Sequence, residues 1–184
     1  MLPRVACDTA KAELEAGAAG LLGTSALSSL CNEVPVAIKI TAAHVNAKIE
    51  VLEVIDGVMQ APTGADVVSW YKSSPRLGQP GNMLLAGHLN WWGVPQAVFF
   101  YLNTLKPGDL VQVTGQGGEV YTYRVVWNRL EDATKPPTTE VVGPTKVPSL
   151  TLITCGGTWI PAASEYDSRT VVRAEFVSVQ QPKK

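Results

Sequence analysis

From Pro35 onward, apolar and polar positions alternate in short runs separated by Gly, Pro and Asn. "VPVAIKI" (34–40) and "AKIEVLEV" (47–54) show the alternation, and "NMLLAG" (82–87) is a compact apolar run. "DLVQVTG" (109–115) and "EVYTYRVVW" (119–127) alternate clearly, with Gly115, Gly117 and Gly118 between them, which predicts a hairpin. "SLTLITC" (149–155) and "RTVVRAEFVSV" (169–179) supply two more strands. About seven short strands with turn residues between them predict an all-β fold, a barrel or a sandwich. Helical signals are few. "ADVVSWYK" (65–72) reads as one or two turns, and "PQAVFFYLN" (95–103) as a short helix with Pro95 at its first position. The Pro- and Thr-rich stretch 128–148 reads as a long loop of the kind that carries function.

Composition narrows the picture. The 184 residues suit one domain with its own core, and 46% hydrophobic content with 17% charged residues is globular. A net charge of −1 lacks the basic excess that nucleic-acid binding needs, so no nucleic-acid partner is expected. Charges are scattered, so no polybasic membrane patch stands out. Residues 16–32 carry no charge but are too short and too rich in Gly and Ser for a membrane-spanning helix. Asp8, Glu13 and Glu15 precede them, which does not suit the basic start of a signal peptide. The expected division is a tail or anchor-proximal helix over 1–30 and a β-rich domain over 31–184, with no internal repeat.

The cysteines are Cys7, Cys31 and Cys155. None sits in a CxxC or Cys/His spacing, so neither a metal nor another cofactor is expected. Cys7 and Cys31 could pair, which leaves Cys155 as an odd thiol. Cys155 ends the apolar run of "SLTLITCGG", and His88 ends that of "LLAGHLN". Alone, each has a plain explanation, a small core filler and a surface histidine. Together they suggest a thiol nucleophile with an imidazole to exchange its proton. Acyl transfer from a thiol passes through an oxyanion, which needs a fixed donor. Arg169, 14 residues after Cys155 and at the start of the last strand, is the candidate, with Arg173 as its rival on the same strand face. His44, in "TAAHVNAK", reads as structural.

The assembled residues resemble the sortase family, the cysteine transpeptidases of bacterial cell surfaces. The resemblance rests on "TLITC" (151–155), "AGH" (86–88) and "SRTVVRA" (168–174), in that order, and spans roughly residues 34–179. Flanking stretches such as "DGVMQAPTGADVVSWY" (56–71) and "FFYLNTLKPGDLVQV" (99–113) agree. "CGG" after the cysteine looks most like the class F-type or related unclassified branch, although here Tyr166 is followed by Asp167 and the arginine comes two residues after that.

The resemblance implies a closed β-barrel of about eight strands with the site at strand ends. It implies Cys155 as nucleophile, His88 as acid/base and Arg169 as substrate and oxyanion clamp. Thr154, Gly156 and Trp159 would line or serve the substrate groove, and 128–148 would be the variable loop that shapes it. The implied reaction cleaves an LPxTG-like sorting signal between Thr and Gly and passes the acyl group to an amine on a cell-wall peptide or a pilin lysine. The expected setting is extracytoplasmic, at the cell membrane, as a monomer. Glu131, Asp132 and Glu140 are acidic and loop-borne but fit no EF-hand spacing. Among rivals, an L,D-transpeptidase expects a polar approach to its cysteine, and a papain-like protease puts the cysteine before the histidine. A non-catalytic secreted β-barrel binding module would not need His88, Cys155 and Arg169 together.

Overall fold

A computed structural model describes residues 32–182. The expected tail over 1–30 and the Cys7–Cys31 pairing fall outside these residues. Eight strands close into a barrel in the order β1 (Pro35–Ile40), β2 (Val45–Leu52), β5 (Val67–Tyr71), β6 (Gly81–Gly87), β9 (Pro148–Ile160), β10 (Glu165–Gln180), β8 (Val120–Asp132) and β7 (Leu110–Gly115). A small hairpin, β3 (Val54–Ile55) and β4 (Val58–Met59), stands apart. β2 pairs with β5 and β6 with β9 in parallel, and the other neighbours are antiparallel.

Alternation along each strand fills the interior. Ile38, Val45, Val68, Leu85, Val113, Tyr123, Leu152 and Val172 come one from each barrel strand and join a single apolar core. Burial of this kind stabilises by roughly 25 cal/mol per Å² of apolar surface and dominates the folding energy. Residues one step along face outward, and the site is built on that outer face.

Two helical expectations are corrected. Residues 65–72 hold strand β5, not helical turns. Its apolar residues 67, 68, 70 and 71 fit either period, and the choice falls to pairing with β2 and β6. Val68 and Trp70 point into the core, while Tyr71 is buried on the other face and donates from its hydroxyl to the Gln60 carbonyl. Residues 95–103 form successive turns that end in a 3-10 turn at Leu102–Thr104. Phe99, Leu102 and Leu105 are buried there and join the core.

The last three strands run longer than their apolar cores suggest. β8 and β9 have 13 residues each and β10 has 16. Residues 128–132 therefore belong to a strand, and the loop that follows contains a short helix α1 (Thr139–Val142). A buried polar cluster pins α1 to the barrel's outer face. Arg173 donates from Nε to Thr151 Oγ1 (2.9 Å) and from Nη2 to the carbonyls of Glu140 (2.6 Å) and Val141 (3.1 Å). Asn82 Nδ2 donates to the carbonyls of Val141 (2.9 Å) and Gly143 (3.2 Å), and Thr151 Oγ1 donates to Asn82 Oδ1 (2.7 Å). Among the described residues no helix is long and apolar enough to cross a membrane, and no group of three or more His, Cys, Asp or Glu is placed to hold a metal.

Candidate active site

The site lies where three adjacent strands present their outer faces. Cys155 on β9 is the antiparallel partner of Arg169 on β10, so the two side chains leave the same face of one rung. β6 runs parallel to β9, and their pairing ends at Ala86 opposite Ile153. Two residues beyond each member of that rung lie His88 and Cys155. Gly87 is needed for this arrangement. A Cβ there would lie 2.6 Å from the Phe99 ring, and the Phe99 amide donates to the His88 carbonyl (2.9 Å).

His88 and Cys155 share this end of the barrel without a direct hydrogen bond. His88 Nε2 instead contacts the Pro62 carbonyl at 2.8 Å. A carbonyl only accepts, so Nε2 carries the hydrogen and Nδ1 is the lone-pair nitrogen of the neutral ring. Trp91 packs on the imidazole with ring centres 4.5 Å apart. No sequence signal marks Pro62, whereas the Trp pair in "GHLNWW" is a signal for Trp91.

Cys155 is half-buried, and burial pushes its thiol pKa up. The Arg169 guanidinium opposes that shift and the Glu165 carboxylate adds to it, with a net rise. This balance favours the protonated thiol. Arg169 Nη1 donates to the carbonyls of Tyr166 (3.2 Å) and Ser168 (3.1 Å), which hold the guanidinium near its own strand. Arg173, the rival arginine, pairs with Thr151 and is only 6% exposed.

The groove residues divide. Thr154 is 3% exposed, and alternation turns it to the face opposite Cys155, so it does not line the groove on the cysteine's face. Its Oγ1 has no hydrogen-bond partner. Gly156 also belongs to the inner face, where a Cβ would lie 2.7 Å from Thr170 Oγ1 and 2.9 Å from Leu130 Cδ1. Trp159 is 47% exposed and meets Tyr166 edge to face, with centres 5.2 Å apart. Tyr166 in turn accepts from Asn90 Nδ2 (2.7 Å) at its hydroxyl, which ties the β9–β10 hairpin to the segment after His88.

A cavity of about 480 Å³ covers the outer face beside the cysteine rung. Ile153 and Val171, partners on neighbouring strands, line it together with Arg169. Met59 of the small hairpin, Val141 and Val142 of α1, and Pro136 and Pro137 of the loop before it add to its apolar lining. The arrangement suits an extended peptide with apolar side chains, delivered toward a thiol flanked by a guanidinium.

The closed eight-stranded barrel matches the fold of the sortase class. A model of the sortase domain matches residues 38–177, and the chain belongs to the sortase family of cysteine transpeptidases. Members of that family are extracytoplasmic, membrane-associated enzymes. Among solved structures, sortase A from Listeria monocytogenes aligns with a TM-score of 0.62 at 23% identity, over 83% of this chain and 92% of that one. Sortase C-1 from Actinomyces oris aligns at 0.59 and 26% identity, over 78% and 75%. A point mutant of sortase E from Streptomyces avermitilis aligns at 0.56 and 25% identity, over 83% and 92%. No curated protein matches the sequence.

Proposed function

We propose that this sortase cleaves an LPxTG-like sorting signal between Thr and Gly through a Cys155 thioester. The acyl group then passes to an amine of a cell-wall peptide or a pilin lysine. The observation that carries this reading is the Cys155–Arg169 rung, with His88 directly after the neighbouring parallel strand. The cavity supports the substrate class, since Ile153, Val171 and Met59 offer apolar contact to a Leu-Pro segment. The "CGG" sequence supports a place in the class F-type or a related unclassified branch.

In this mechanism the neutral thiol gives its proton to His88 as sulfur bonds to the Thr carbonyl carbon. The oxyanion that forms is stabilised by Arg169. Collapse breaks the C–N bond, and the leaving Gly amine takes the proton from the imidazolium. The thioester then meets an incoming amine, which gives its proton to His88. The second tetrahedral intermediate breaks its C–S bond, the leaving sulfur takes the proton back from His88, and a new amide remains. Pro62 binds Nε2–H, which reserves Nδ1 for the moving proton.

The test is a library of LPxTG-like peptides with an added amine, run on the parent and on Cys155→Ala. Transfer product from the parent alone supports the proposal. No thioester and no transfer product with any peptide would sink it.

A further inference from the structure

One outer-face rung crosses five strands, through Glu50 on β2, Ser69 on β5, Ala86 on β6, Ile153 on β9 and Val171 on β10. One end of this rung is acidic, and His88 and Cys155 lie two residues beyond its Ala86 and Ile153. Glu50 does not point idly into solvent. Its Oε1 accepts from the Thr63 amide (2.9 Å) and the Ser69 hydroxyl (2.7 Å), and its Oε2 accepts from the Thr63 hydroxyl (2.6 Å). Thr63 directly follows Pro62, the residue whose carbonyl meets His88 Nε2.

We infer that Glu50 is a positioning residue for His88, acting through Thr63 and the Pro62 carbonyl to hold the imidazole in its Nε2–H form. This rests on the role proposed above for His88. Pro62 has no amide hydrogen of its own, so its carbonyl can be aimed only through its neighbours. Besides the bond from the Gln60 amide to the Glu53 carbonyl (3.3 Å), three ties fix that segment. Tyr71 holds the Gln60 carbonyl (2.7 Å), Glu50 holds Thr63, and the Val98 amide holds the Ala65 carbonyl (2.7 Å). Of the three, the Glu50 tie is next to Pro62 and is made by an anion, which strengthens each bond it accepts. Burial disfavours the Glu50 charge, but the bonds from Thr63 and Ser69 outweigh it, and a charged His88 adds to them; the carboxyl is held below its usual range. The carboxylate is therefore ionised and able to accept throughout the neutral range.

The logic is that of any imidazole whose working nitrogen is chosen by the partner of the other one. Here the partner is a backbone carbonyl, and the acid stands one step behind it. Glu50 touches neither substrate nor thiol. Its loss should slow the chemistry and leave peptide binding intact, because the apolar cavity lies over β9 and β10.

The test is nitrogen NMR of histidine-labelled protein, joined to steady-state kinetics on Glu50→Ala, Glu50→Gln and the parent. The sequence has two histidines, so His44 serves as the internal control. The parent should show His88 as the Nε2–H tautomer. Glu50→Ala should show a mixture of tautomers at His88 with His44 unchanged. It should also lose about 10-fold in kcat, at the low end of what a partner behind a functional histidine is worth, with KM within about twofold. Glu50→Gln keeps an acceptor for the Thr63 amide and should recover most of both readouts. A parent-like His88 spectrum and kcat in folded Glu50→Ala would overturn the inference, as would a loss carried by KM. If the parent itself transfers no peptide, the proposed function fails instead, and the tautomer readout still decides the role of Glu50.

Discussion

Arg169 stands directly opposite Cys155 across the β9–β10 pair, whereas Arg173 stands opposite Thr151 and is sealed beneath α1. The register of one strand pair thus gives two arginines on one face different surroundings. Arg169→Ala should fold and lose about 100-fold in acyl transfer, the usual cost of one oxyanion donor. Arg173→Ala should instead destabilise the fold by about 3 kcal/mol, because it strands buried carbonyls and Thr151. Chemical denaturation and peptide turnover, measured on both variants, separate the roles. An inactive but fully stable Arg173→Ala beside an active Arg169→Ala would reverse the assignment.

The raised pKa of Cys155 makes its reactivity strongly dependent on pH. A raised value means that less thiolate is present at neutral pH than for an ordinary cysteine. Alkylation by iodoacetamide should therefore rise along a curve whose midpoint lies above that of a free cysteine. Arg169→Ala removes the opposing positive charge and should move the midpoint further up. Glu165→Gln removes an acidic neighbour and should move it down. Shifts of the opposite sign would contradict the electrostatic account.

Ile153 and Val171 lie side by side in the cavity and away from the thiol's own rung. Truncating Ile153 to Ala should raise KM for an LPxTG-like peptide by about 10-fold, the usual worth of a few methylenes in an apolar pocket. Alkylation of Cys155 should not change. Unaltered KM would place the peptide elsewhere.

Gly157 has φ of +75°, where a side chain is strained, and a Cβ there would run into Asp167. Asp167 cannot simply swing away, because its Oδ1 accepts from the Thr158 amide (3.0 Å) and the Ser168 hydroxyl (2.7 Å). Gly157→Ala should lower stability by about 1–2 kcal/mol from backbone strain alone. Thermal melting should show Asp167→Ala to be less harmful in that background than in the parent. Simple additivity of the two changes would remove Asp167 from the explanation.

Much of the barrel was legible because strand alternation is local. "DLVQVTG", "EVYTYRVVW" and "SLTLITC" each carry their inward set on every second residue, and the glycines between the first two mark their hairpin. The family was legible for a related reason. "AGH" and "TLITC" hold their histidine and cysteine at the ends of apolar runs, and that placement is written in one dimension. Residues 65–72 mislead a local reading because "VVSWY" fits two periods, and only pairing partners on both sides decide for a strand. The resemblance places Thr154 along the groove, whereas strand alternation turns it to the face opposite Cys155, where it is buried.

The pair of glycines after the cysteine shows where local reading stops. They resemble a turn, but β9 continues through them to Ile160. Gly156 is required by the closeness of Thr170 and Leu130, and Gly157 by its backbone angle. By itself the sequence determined the strand content, the apolar inner face and the three residues that carry the family pattern. Only the tertiary structure decided which arginine meets the cysteine, which nitrogen of His88 is left free, and that Glu50 stands behind Pro62. These depend on inter-strand register and on hydrogen bonds between residues such as Glu50 and Thr63, 13 positions apart. Local periodicity carries no record of such distances.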